Sequence, residues 1–132
     1  MTEASPTALP LPRATEIDEA LIRRIVFTFY GRVREDPELG PVFERAIGDH
    51  WEPHLEKMCD FWSSITLRSG RYKGSPAVAH MRHKTIRPEH FDTWLGLWVR
   101  TVSELATGAA EVTFTNAAHR MGHNLKGMLY VR

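Results

Sequence analysis

Trp51, His54, Met58, Phe61 and Ile65 follow one another at steps of three, four, three and four residues, with Leu55 and Trp62 alongside. Only an α-helix gathers residues at that spacing onto one face, so this stretch must fold as a helix that buries an apolar stripe against other elements. The stripe has one polar member, His54. Asp49, with Glu52 three positions later, is placed to cap the helix start.

Three further stretches carry the same rhythm, and none alternates with period two over a useful length. Ile17, Leu21, Ile25, Phe29 and Val33, broadened by Ile22, Val26 and Tyr30, predict a helix of about five turns. Thr15 and Asp18 read as its capping box, and it should end near Asp36-Pro37. Leu39-Gly40-Pro41 reads as loop punctuation before Val42-Phe43 and a short turn up to Gly48. Pro88 opens a helix marked by Phe91, Trp94, Leu95, Trp98, Val102 and Leu105, which stops near Thr107-Gly108. Val112, Phe114, Ala118, Met121, Leu125 and Met128 mark the final helix. The expected fold class is all-α, with one domain over 15–132 and a flexible N-terminal tail over 1–14, where Pro6, Pro10 and Pro12 prevent a continuous helix.

Composition narrows the partners. A chain of 132 residues, 42% hydrophobic and 25% charged, suits one ordinary soluble domain. Lys+Arg 17 balance Asp+Glu 16 without a basic run, so no nucleic-acid partner is expected. The apolar run from Trp94 to Val99 is far too short to span a bilayer and no basic-then-apolar leader opens the chain, so a cytoplasmic monomer with no membrane partner is expected. The single cysteine, Cys59, precludes an intrachain disulfide and a CxxC pair, and reads as a packed small residue.

The segment Tyr72-Lys73-Gly74-Ser75-Pro76-Ala77-Val78-Ala79-His80 is where chemistry is expected. Gly74 permits positive φ, and Ser75-Pro76 reads as the N-cap and first residue of a short helix that carries His80 one turn in. Arg87, preceding Pro88, is biased away from helical geometry and separates that helix from the next. Tyr30, His54 and His80 are then polar residues directed at an apolar interior, with Trp94 just beyond. Singly, each is more often a core residue satisfied by a backbone carbonyl. Jointly they bury several donors, each costing about 1–3 kcal/mol if left unsatisfied, and a cofactor with a polar centre and an apolar rim accounts for all of them. Haem has that character: its iron takes one neutral imidazole, its porphyrin wants aromatic and aliphatic walls, and a bound ligand wants distal donors. Without a CxxCH motif it would be held non-covalently. The pairs His80/His83 and His119/His123 have zinc-compatible spacing but lack an HExxH glutamate or a cysteine partner. His50, His90 and the His119/His123 pair are expected at the surface.

These residues resemble the truncated haemoglobins, specifically group III, from Ile25 to about Leu129. The resemblance is carried by Phe29-Tyr30-x-x-Val33-Arg34, Asp36-Pro37-x-Leu39-Gly40-Pro41-x-Phe43, Trp51-x-x-His54, Phe61-Trp62, Tyr72-x-Gly74-x-Pro76-x-x-x-His80 and His90-Phe91-x-x-Trp94-Leu95. It implies a globin-like two-over-two helical sandwich holding haem b, with His80 as the iron ligand. Tyr30, His54 and Trp94 would be the distal polar residues, and Phe43 and Phe61 would pack on the porphyrin. The stretch His83-Lys84-Thr85-Ile86-Arg87 departs from the family in being more basic: Lys84 and Arg87 are candidates to pair with the propionates, or the stretch is a solvated turn. The ligands implied are O2, CO or NO. The same constellation serves reversible ligand binding and, with a reductase partner, nitric oxide dioxygenase or peroxidase-like chemistry. The alternative is a sensing or electron-transfer haem protein in which His54 coordinates the iron.

Overall fold

The computed structural model describes residues 12–75 and 86–130. Five α-helices account for most of them: α1 (Glu19–Glu35), α2 (Leu39–Ile47), α3 (Trp51–Leu67), α4 (Pro88–Leu105) and α5 (Gly108–Tyr130). Helix α1 packs on α2, α3 and α4, and α4 pairs with α5, so two helix pairs enclose the core.

The start of α1 is set by Asp18, whose carboxylate accepts from the Leu21 N–H at 2.8 Å. Asp18 is therefore the N-cap itself, one role further along than the box expected from Thr15, because a short carboxylate at that position reaches the third helical N–H directly. Upstream, Ala14 is fastened to the α4–α5 elbow: its N–H donates to the Leu105 carbonyl (2.9 Å), and the Thr107 N–H donates to its own carbonyl (2.8 Å).

Leu39-Gly40-Pro41 is not a loop but the first turn of α2. Asp36 makes this possible, since one of its carboxylate oxygens accepts from the N–H groups of Glu38 and Leu39, both at 2.8 Å. Pro41 falls within the first turn, where a missing N–H costs no helical hydrogen bond. Gly40 is required by space. A Cβ there would lie 2.8 Å from the Arg34 carbonyl oxygen, so the end of α1 and the start of α2 meet on bare backbone.

Helix α3 begins after His50 with no side-chain cap, so Asp49 does not serve the role expected of it. Trp51, Phe61 and Trp62 are buried as their spacing requires, whereas Ile65 is 40% exposed because the helix is leaving the core. Beyond α3, Arg71 ion-pairs with Glu19 and with Asp60, each at 2.9 Å, joining α1, α3 and the outgoing chain. Hydrogen bonds from Arg71 and Ser63 hold the Glu19 carboxyl down at about 2. The Tyr72 N–H donates to Ser64 Oγ at 2.9 Å.

Helix α4 starts at Pro88 as expected, and α5 follows a tight elbow in which Gly108 adopts φ +63. Val112 and Met128, near the two ends of α5, stay exposed, so its buried stripe is the shorter run through Phe114, Ala117, Ala118 and Leu125. Among the described residues no helix is long and apolar enough to cross a membrane.

Two glycine substitutions should act with opposite sign. Gly40→Ala should destabilise by about 1–3 kcal/mol, the usual cost of overpacking against rigid backbone. Gly96→Ala, within α4 where a Cβ meets nothing within 4 Å, should stabilise by about 0.5–1 kcal/mol through helix propensity. Denaturant unfolding of the two variants checks both signs.

Candidate functional site

The helix pairs enclose a cavity of about 560 Å³ to which all five helices contribute. That size is within the range of roughly 300–1,000 Å³ found for cofactor and ligand sites. Its lining is mostly apolar. Phe43 comes from α2, Met58 and Phe61 from α3, Phe91 from α4 and Leu125 from α5, with Ile86 just before α4.

One wall departs from this character. Tyr30 of α1, His54 of α3 and Trp94 of α4 converge there, three helices each delivering one polar group. The Tyr30 and His54 rings meet edge to face at 5.2 Å, and Tyr30 also contacts Phe43 (5.9 Å) and Trp51 (6.2 Å). Tyr30 is 5% exposed, and burial pushes its phenol pKa well up, offset only in part by a hydrogen bond with Trp94. An indole N–H can only donate, so the Tyr30 oxygen is the acceptor of that bond and its own O–H is left to donate elsewhere. The phenol stays protonated throughout the physiological range.

The position of each ring follows from packing. Trp94 stacks on Trp98 (6.1 Å, 7° between planes), which stacks in turn on Trp62 of α3 (4.4 Å, 13°). Trp51, at the outer edge of the polar wall, contacts His54 at 5.9 Å and is held by a hydrogen bond from its indole to Glu44 (3.3 Å) and by the Arg34 guanidinium over its ring (4.5 Å).

Tyr30, Phe43, His54, Phe61 and Trp94 thus share one cavity. Arg87 is exposed and ion-paired with Glu89 at 3.3 Å. His80, His83 and Lys84, with the helix start at Pro76, lie outside the described residues. Gly74 does line the cavity, without adopting the positive φ it permits; its lack of a side chain accommodates the Tyr72 hydroxyl, which would lie 2.8 Å from a Cβ. His119, His123 and His50 are exposed as expected, and Cys59 is buried. Among the described residues no cluster of His, Cys, Asp and Glu could hold a metal ion.

Of the lining residues that sequence reasoning did not place in the site, three bear on its character. His90, expected at the surface, is buried and lines the cavity; its place between Pro88 and the buried Phe91, in the first turn of a helix that dives inward, was the available signal. Lys57, one turn beyond His54, brings a cation to the cavity edge. Gly122 is a buried part of the wall at which a Cβ would meet nothing within 4 Å, leaving space that a side chain would take.

The chain is 29% identical to the group 3 truncated haemoglobin of Campylobacter jejuni over 117 residues, covering 86% of this chain and 92% of that protein. The crystal structure of the group III truncated haemoglobin from Campylobacter jejuni superposes with a TM-score of 0.87 at 28% identity, covering 91% of this chain and 97% of that one. The chain is a relative of the group III truncated haemoglobins. No family model matches it. Agreement over nearly the whole of both chains makes the five described helices a truncated globin fold and the enclosed cavity the interior of that fold.

Filling the glycine gap tests the cavity directly. Gly122→Leu should stabilise the protein prepared without added ligand by about 1 kcal/mol from helix propensity alone, with further gain from burial, and should lower the fluorescence of the apolar dye 1-anilinonaphthalene-8-sulfonate bound to it. Thermal unfolding and dye titration read the two effects.

Proposed function

We propose that the cavity holds haem b without covalent attachment, that His80 supplies the axial imidazole, and that Tyr30, His54 and Trp94 form the pocket in which O2 or a similar diatomic ligand is held. The observation that carries this reading is the polar wall itself: three groups from three helices, inside an otherwise apolar cavity, with the Tyr30 O–H left to donate by its bond from Trp94. The bare wall at Gly122 and the aromatic sides formed by Phe43 and Phe61 suit a flat, apolar ring system. Lys57 at the cavity edge is better placed to meet the ring's carboxylates than Arg87, whose guanidinium is already paired with Glu89. When bound, haem supplies an iron that takes diatomic ligands.

The residues of this chain do the rest. The polar wall favours a ligand that gains negative charge on binding, as O2 does, over one that stays nearly apolar, as CO does. In the dry interior a hydrogen bond from Tyr30 is not exchanged with water, and its protonation does not change near neutral pH. His54 acts as a further polar group rather than as a ligand, because its edge-to-face contacts with Tyr30 and Trp51 hold the ring in the wall.

Absorption spectra of the purified protein in ferric, ferrous and CO-bound states test the reading. Wild type should show a haem spectrum, and His80→Gly should lose the axial-histidine signature until imidazole is added; a glycine variant with the wild-type spectrum and no imidazole overturns the assignment. Stopped-flow dissociation tests the pocket. Tyr30→Phe should speed O2 release about tenfold, the equivalent of about 1–1.5 kcal/mol for one hydrogen bond, with a smaller effect on CO. Equal effects on both ligands would assign the hydroxyl to packing.

A further inference from the structure

The four tryptophans of the chain and Tyr30 form one continuous series of contacts. Trp62 stacks on Trp98 (4.4 Å) and Trp98 on Trp94 (6.1 Å), the Trp94 indole donates to the Tyr30 oxygen, and the Tyr30 ring meets Trp51 at 6.2 Å. The series runs from the core, along the polar wall, to the surface. Trp62 and Trp98 are buried, while Trp94 and Tyr30 line the cavity. Trp51 stands behind Tyr30, 7% exposed, between two exposed side chains, Arg34 and Glu44.

Packing accounts for buried rings but not for the surroundings of the last one. Indoles and phenols give up single electrons more readily than other aromatic side chains, and the π face of one ring stabilises positive charge on its neighbour. An oxidised indole comes to rest once its N–H proton has left. The Trp98 N–H donates to the Phe114 carbonyl and the Trp94 N–H to the Tyr30 oxygen, and neither acceptor is a base. The Trp51 N–H donates to the Glu44 carboxylate at 3.3 Å. The Arg34 guanidinium lies over the same ring, 4.5 Å from its centre, and opposes positive charge there, so loss of the electron is coupled to loss of the proton. Of these three indoles, Trp51 is the one that can hold the oxidation as a neutral radical.

We propose that Trp51 is the electron-entry residue of a relay through Tyr30 and Trp94, by which a charged one-electron donor outside the apolar cavity reduces hydrogen peroxide inside it. This rests on the haem reading above, haem being the redox centre. In each step Trp51 passes one electron inward to the oxidised Tyr30 and Trp94 pair and its indole proton to Glu44. The donor then restores the electron, and Glu44 returns the proton. After two such steps the peroxide has taken two electrons, with two protons from solvent, and has left as two molecules of water. Two donor molecules have each lost one electron.

The test uses haem-loaded protein and hydrogen peroxide, with ferrocyanide as the charged donor and guaiacol as one small and apolar enough to enter the cavity. Without a donor, freeze-quench electron paramagnetic resonance should show a tryptophan radical in wild type, and a nitroso spin trap followed by peptide mass spectrometry should place it on Trp51. Trp51→Phe keeps an aromatic ring beside Tyr30 and His54 but is not oxidised. It should lose the adduct and lower the ratio of ferrocyanide to guaiacol oxidation rates at least about tenfold. Glu44→Gln keeps an acceptor for the indole but takes no proton, and should lower the same ratio. Circular dichroism reports the fold of each variant, and a ratio taken within one variant cancels a general loss of haem or packing. An adduct confined to Tyr30 or Trp94 in wild type, or a ratio unchanged in either variant, overturns the relay. Failure of wild type to bind haem rejects the haem reading itself, whereas a haem spectrum with no radical on Trp51 rejects only the role of Trp51.

Discussion

Trp98 is the residue on which the arrangement turns. Fully buried, it stacks on Trp62 and Trp94, presents an edge to Phe29 at 5.0 Å, and donates its indole N–H to the Phe114 carbonyl at 3.2 Å. One side chain of α4 thereby touches α1, α3 and α5. Truncating a buried tryptophan costs about 3–5 kcal/mol, a large part of the roughly 5–15 kcal/mol that holds a domain folded. The stack also faces two ways. Its inner members fill the core, and its last ring, Trp94, opens onto the cavity and offers its N–H to Tyr30.

The polar wall is thus an extension of the core rather than a loop-borne addition. Tyr30 sits one residue after Phe29, which meets Trp98 and Trp94 edge to face, and the two α1 aromatics touch at 4.8 Å. The ring packing that stabilises the helices fixes the donors within the cavity at the same time, so no separate ordering cost falls on a ligand entering it.

Much of this was legible in the chain. Helical spacing located α1, α3, α4 and α5, because a repeat of three and four is a direct consequence of burying one helix face. The convergence of Tyr30, His54 and Trp94 was legible as polar or amphipathic residues on apolar stripes. What escaped was decided by contacts that spacing does not encode. Asp36 turns a Gly-Pro sequence into a helix start by accepting two backbone N–H groups, and the close approach to the Arg34 carbonyl explains the Gly that looked like punctuation. His90 lay in a first turn, where exposure is the usual state, and was drawn inside by the turn of α4 into the core. Val112 and Met128 kept the apolar rhythm of α5 past the point where anything packs against it.

The chain that carries His80 is fastened before and after it. On one side Arg71 is clamped by Glu19 and Asp60 and Tyr72 by Ser64 and Phe61; on the other, Arg87 and His90 close on each other at the start of α4. If His80 is the axial ligand proposed above, an imidazole delivered between two such anchors would act as an intramolecular ligand. Its effective concentration is set by the tether rather than by the solution, and for short connections it is about millimolar or higher. A freely diffusing base would then compete for the same coordination position only from that concentration upward, and the ion pairs around Arg71 would contribute to that tether.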